Sequence, residues 1–476
     1  MSRPLPGPPP SAAAGTAWHV KLLAGVLGLA LAPVLMGTPE GQRGLLALCL
    51  LGLFFILLIY SPRAGIPWTL AYLAALGGLR RWLIPIFGWT PMDPLLLVSP
   101  ALVMLYDANL LARRGLPART RLSRLLVCLL ALMTLEILNP LQGGLAIGVA
   151  GALFYIVPLL WYFVGRCVGD AALVRRLIRV AIGIGILAAL YGLYQTWFGY
   201  SAGEQEWLRL SGYTALNVGG TIRAISFFTS SAEYAHFLCV ALVLLWALWL
   251  RGHRLVLLPM PLLALAIFLE SSRGVVFSVL AACAALWAVQ GRRTVAWLPR
   301  GLLAAGLAVT GLVWSLGRVQ QGEYGVQTQA LIEHQASGLL NPLDERHSTA
   351  TQHSTMALDG VKAGFTDPLG QGLGATTLAA AKFNSAGGST EVDVSNMFVS
   401  LGFAGGLLYV AIIGVVLMTA FRYWHRARNL AALAILGLLL LELGQWLTGG
   451  HYAASMLIWF CIGALDRLQP ERETAS

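Results

Sequence analysis

The chain has 476 residues, of which 57% are hydrophobic and only 11% charged, and its mean hydropathy is +0.73. That composition excludes a water-exposed surface, and several apolar runs are long enough to cross ~30 Å of hydrocarbon as helices of roughly 20 residues, whereas none alternates as a lipid-facing barrel strand does. The net charge of +11 is no nucleic-acid signature, because the arginines punctuate the ends of apolar runs instead of forming a basic, aromatic-interleaved patch.

Residues 1–19 are rich in Pro, Gly and Ala and lack the basic, apolar, small-residue order of a secretory signal. They read as a disordered cytoplasmic tail. Apolar runs then predict membrane helices at 20–36, 44–60, 66–87, 92–112, 122–138, 143–165, 174–197, 232–250, 255–270, 274–289, 297–316, 398–421, 429–446 and 452–466. The third and fourth are interrupted by Arg80, Arg81, Pro85, Pro91 and Pro94, so the expectation is about 12–14 crossings. The fold class is therefore all-α, a polytopic transmembrane helical bundle. Linkers carrying Arg113, Arg114, Arg121, Arg124, Arg175, Arg176, Arg251, Arg254, Arg292, Arg293, Arg426 and Arg428 all fall on one side, the positive-inside pattern, which puts both termini, including 467–476, in the cytoplasm.

Two hydrophilic segments remain for the outer face: 198–231, and 317–397, which is mildly acidic. A structureless connector of the latter length is uncommon in a folded chain, and helix-like apolar spacing persists in it, so short amphipathic helices packed over the bundle are expected. The six cysteines, Cys49, Cys128, Cys167, Cys239, Cys283 and Cys461, lie in or beside apolar runs and supply no CxxC metal spacing.

Charged groups near membrane depth need a partner or a task. Arg223, in TIRAISFFTSSAEYAHFL, and Arg273, in LESSRGVVFSVL, would share the outer rim if helices eight to ten are neighbours. Guanidinium forks grip phosphate oxygens in pairs and stay charged at any relevant pH. The alternatives are an ion pair between Arg273 and Glu270, and interfacial snorkelling of Arg223.

Next comes DERHSTATQHSTMALDGVKAGFTDPLGQGLG, residues 344–374. Its first half places Arg346, His353 and Gly360 on one helical face, two turns apart. Its second half is a Pro/Gly turn able to bring backbone into close contact. His353 suits a general base near neutrality or a solvated loop histidine. Asp393 and Asn396 precede an apolar run, where they would either touch a hydroxylated substrate or cap the helix. Glu233, at the outer start of the eighth helix, suits the helix dipole or proton abstraction. Asp107, Glu136 and Glu442 read as packing residues.

Taken together, the R-x-x-x-x-F segment, the S-R-G helix start, the large loop ending in D-P-L-G-x-G-L-G and the N-containing element leading into G-x-x-G-G-L resemble the O-antigen ligase and polymerase superfamily of the Wzy/WaaL type, over roughly residues 170–465. The resemblance implies a GT-C-like bundle in the bacterial inner membrane, with its site and the 317–397 loop facing the periplasm. It implies a metal-independent glycosyltransferase without a cofactor, moving a glycan from undecaprenyl diphosphate to a sugar hydroxyl on an acceptor glycan or glycolipid. Other polysaccharide-assembly proteins would be its partners, and nucleic acid would not. Arg223 and Arg273 would grip the diphosphate, with Arg346 a third and Asn396 at the substrate. Ser395-Asn396 stands where many relatives have His-Asn, so either Glu233, His353 or Asp393 would supply the base or the chain would belong to the polymerase side of the family, where the motif is looser. Polymerisation of exopolysaccharide or O-antigen repeat units is the leading expectation, ligation to lipid A core the second. A lipid-glycan transporter is a third, disfavoured because the polar residues gather on one face instead of in broken mid-membrane helices.

Overall fold

The structure, a computed structural model, describes residues 37–115, 120–211, 217–218, 221–291, 296–319, 321–322, 324–341, 344, 350–377, 388–443, 445–447 and 451–469. The N-terminal tail, the 20–36 helix, Arg346 and most of the 467–476 tail lie outside the described residues.

Every apolar run from 44–60 onward becomes a helix. In chain order these are α1 (Pro39–Tyr60), α2 (Pro62–Trp82), α3 (Val98–Arg114), α4 (Arg121–Glu136), α5 (Leu145–Val168), α6 (Ala171–Phe198), α7 (Ala202–Ser211), α8 (Ser231–Leu250), α9 (Met260–Leu269), α10 (Arg273–Ala288), α11 (Trp297–Val319), α12 (Val326–Leu340), α13 (Ala350–Thr366), α14 (Asp393–Ala427), α15 (Leu430–Leu441) and α16 (Tyr452–Leu468). Strand among the described residues is confined to the pair Asn217–Val218 and Thr221–Ile222. The protein is an all-α bundle, and seven of its described helices are long and apolar enough to cross a membrane. Others, such as α9, α10 and α15, are equally apolar but shorter.

The local signals are ordinary ones. Thr38, Thr120, Asp170, Ser230 and Asn429 each cap the helix that follows by accepting a backbone N–H. Small residues let helices approach: a Cβ on Gly165 of α5 would stand 2.1 Å from the Phe460 carbonyl oxygen of α16, and one on Gly463 2.0 Å from that of Tyr162. α8 and α15 are buried nearly throughout and form the centre of the bundle. α11 stands almost wholly outside the packed core, with 6% of its apolar window buried.

The expected amphipathic cover is present as α12, against α9 and the end of α6, and α13, along α14. The face carrying them is called the loop face below. The D-P-L-G-x-G-L-G element has a definite task there. Asp367 to Gly374 straps over α14 where Gly402 adopts φ +67°, and the bonds that the helix loses at this break are replaced by Gln371 N–H to Val399 O (2.9 Å), Gly372 N–H to Ser400 O (3.1 Å) and Phe403 N–H to Pro368 O (3.2 Å). The close backbone approach expected of this turn is thus made to the protein itself, and any Cβ at 402 would lie 2.1 Å from Pro368 O.

The segment bearing Arg223 is drawn into the bundle by a buried polar clamp. Arg81, at the end of α2, donates to Phe228 O (2.7 Å) and Ser226 O (2.6 Å), and its Nε lies 3.7 Å from Glu204 of α7. Gln195 of α6 donates to Glu204 (2.8 Å) and accepts from the backbone of Ile225 (3.1 Å) and Ser226 (2.6 Å). Removing one partner of such a buried pair strands the other, at a cost of about 3–5 kcal/mol. Arg81→Met should therefore lower stability by about that amount in thermal unfolding in lipid nanodiscs. Lys362→Ala, which removes an exposed i,i+3 pair with Asp359, should change it by less than about 1 kcal/mol.

Candidate functional site

With the 223–230 segment fixed, Arg223 and Arg273 both reach the loop face from adjoining elements. The α9–α10 connection is as short as expected: Ser271 turns at φ +68° and α10 begins at Arg273. The expected Arg273–Glu270 pair is not what forms. Glu270, fully buried, pairs with Arg223 instead (Nη1···Oε1 3.4 Å), so Arg223 is no snorkelling residue.

Arg273 is engaged by α12. Its Nη2 donates to the carbonyl oxygen of His334 (2.9 Å) and lies 3.0 Å from the ring Nε2 of the same residue. A guanidinium only donates, so Nε2 accepts, the imidazole is neutral and its proton sits on Nδ1. Gly338, one turn along α12, makes the contact possible: a Cβ there would lie 2.0 Å from the guanidinium carbon. Partial burial and the positive charges of both Arg273 and Arg223 hold the His334 imidazole below its ordinary value of 6.5. The two arginines therefore act on one imidazole. His334 was missed in the sequence because nothing in its local pattern sets it apart from other loop histidines.

Glu233, His353 and Asp393, the expected bases, are elsewhere and otherwise occupied. Glu233 is fully buried and accepts from the Thr229 backbone (3.1 Å) and hydroxyl (2.6 Å), and from the N–H of Ala453 at the start of α16 (3.2 Å). Asp393 is buried at the start of α14 and accepts from Leu447 N–H. Both acids hold backbone. His353 lies on α13 and pairs with Glu391 (2.5 Å), both about half exposed, and on the same face Gly360 packs against Thr390 and Ser395, as the seven-residue spacing anticipates. Asn396 accepts from the Thr390 backbone and hydroxyl (both 2.8 Å) and so shapes the turn before α14 instead of facing a ligand. Arg346 lies outside the described residues.

Glu442 proves to be more than a packing residue. At the end of α15 it pairs with His236 of α8 (Nδ1···Oε2 3.0 Å), whose ring lies 4.4 Å from that of His451. A cavity of about 410 Å³ opens on the loop face between Thr196 and Trp197 of α6 and Tyr324, Gly325, Val326 and Thr328 at the start of α12. It borders α12 but neither guanidinium.

No protein-family model matches the chain, and no curated protein is similar to it in sequence.

The His334 contact generates a pH dependence. A base whose value is lowered by folding contributes stability that is full above 6.5 and is lost as pH falls through its folded value. Hydrogen-exchange protection across residues 326–340, corrected for the intrinsic rate at each pH, should fall as pH drops below 6.5, and His334→Gln should remove that dependence. Gly338→Val should loosen the same segment at every pH, since its side chain would occupy the space of the guanidinium.

Proposed function

We propose that the chain is a membrane glycosyltransferase that moves a glycan from undecaprenyl diphosphate to a sugar hydroxyl on the periplasmic side of the bacterial inner membrane, joining exopolysaccharide or O-antigen repeat units. The observation that carries the reading is the contact of Arg273 with His334 at the loop face, with Arg223 near enough for its charge to act on the same imidazole.

The chemistry follows from that grouping. A diphosphate oxygen is a stronger acceptor than the carbonyl and neutral ring that now engage Arg273, because bonds to an ionised acceptor are roughly twice as strong. Diphosphate binding would draw Arg273 off His334 and release α12. The acceptor hydroxyl attacks the anomeric carbon as the bond from that carbon to the diphosphate oxygen breaks. The electron pair leaves on undecaprenyl diphosphate, where the two guanidiniums stabilise it, and the hydroxyl proton passes to the exposed Nε2 of His334. Glu270 keeps Arg223 oriented. In this assignment His334 replaces Glu233, His353 and Asp393 as the base, and the lipid diphosphate supplies the activation without a nucleotide.

The test is turnover in proteoliposomes given lipid-linked repeat units. Arg273→Lys should lose at least about tenfold in turnover while remaining folded, because a point charge cannot reproduce a two-oxygen grip. Full turnover in that variant would refute the reading. Adding lipid A core oligosaccharide separates the alternatives: growth of the repeat-unit chain in its presence supports polymerisation, and transfer to the core supports ligation.

A further inference from the structure

We propose that His236, Glu442 and His451 form a binding site for one divalent transition-metal ion of the zinc class. The inference is independent of the glycosyltransferase reading, since none of the three residues is used in it.

Three elements that pack against one another supply the three side chains: α8, the end of α15 and the start of α16. One donor atom from each lies within 4.8 Å of the other two. The His236 Nδ1 to Glu442 distances of 3.0 and 3.2 Å are close to the edge of a tetrahedral site, about 3.3 Å for bonds of about 2.0–2.1 Å. His451 would need to move in by about 1.5 Å at most to complete the triangle. Two imidazoles and a carboxylate are a donor set for zinc, iron or manganese, and three protein ligands leave positions for water or an oxygen anion.

A second observation points the same way. His451 is 6% exposed, and its Nδ1 is buried without a hydrogen-bond partner. An imidazole nitrogen left bare in a protein interior is unfavourable, and a metal ion supplies the missing partner for its lone pair. An ordinary His236–Glu442 ion pair would account for two of the three residues and leave this one unexplained. His236, with 19% of its side chain exposed, gives an ion a way in.

The surroundings fit a site held in advance of binding. Asp393 fixes Leu447, Glu233 fixes Ala453, and the ring N–H of Trp459 donates to Trp446 O (2.8 Å). These bonds bracket the connection that carries Glu442 and His451 and hold it against α8. The two buried acids expected to be catalytic thus acquire a definite task, that of positioning ligands.

The full chain, carrying an affinity tag without histidine, would be purified into nanodiscs, stripped with chelator and titrated with zinc and with cobalt. Expected are one zinc bound per chain, resistant to dialysis, and an intense cobalt d–d absorption of a low-symmetry nitrogen and oxygen site. His451→Gln and Glu442→Gln should each weaken zinc binding by at least about tenfold, and His253→Gln, at an exposed residue, should not. Failure of the wild type to retain zinc would overturn the proposal, as would undiminished binding in both ligand variants. If these variants do not fold, zinc-edge X-ray absorption of the wild type decides: scattering from two imidazoles supports the site, and sulfur ligation or imidazole-free oxygen ligation overturns it. Glycan transfer is not measured, so this outcome is separate from that of the Arg273→Lys assay.

Discussion

The buried cation Arg81 organises the part of the loop face that carries Arg223. Arg81 is 1% exposed, and a charge so placed must be neutralised and hydrogen-bonded or it unfolds its surroundings. It meets both demands by taking Glu204 and two carbonyls of the 226–228 segment. That segment is thereby pulled between α2 and α6, and Ser226 accepts a left-handed conformation, φ +49°, to make the turn. Arg223 has its position because of this clamp. Gln195 and the buried side chains of Ile225 and Phe228 hold the same segment, and with Arg81 they set Arg223 beside Glu270.

Around Arg223 the polar groups are taken up in pairs. Arg273 meets neutral His334, Arg223 meets Glu270, and His236 meets Glu442. Such an arrangement gives each charged group a polar partner in a medium that screens poorly. A second polar group, Arg166 with Asp466 and the hydroxyls of Tyr162 and Thr120, closes the opposite ends of α5 and α16.

The helices were legible in the sequence because twenty-residue apolar runs admit little else, and even α13 was marked by the spacing of His353 and Gly360. The arginines were legible as residues in need of partners, since charge next to hydrocarbon is conspicuous. Which partners they take was not. Glu270 lies three residues from Arg273 and was the natural choice for it, yet the turn at Ser271 sends the two side chains apart and Arg223 arrives from 47 positions upstream to claim the acid. Glu233 and Asp393 carried the composition of catalytic acids, but each also accepts from a backbone N–H far along the chain, Ala453 and Leu447, which local pattern cannot reveal. His334 and His451 were invisible for the same reason: their surroundings are made by tertiary packing alone.

The break at Gly402 divides α14 into two bodies of different allegiance. The piece from Asp393 to Leu401 is bound to the strap and to α13, while the piece beyond Phe403 belongs to the apolar bundle. Because the strap replaces the bonds lost at the break, the joint is stiff instead of loose, and it works as a bracket. A displacement of α13 is carried through the strap into the rest of α14 at one fixed angle, so the two pieces are keyed to each other at a single residue.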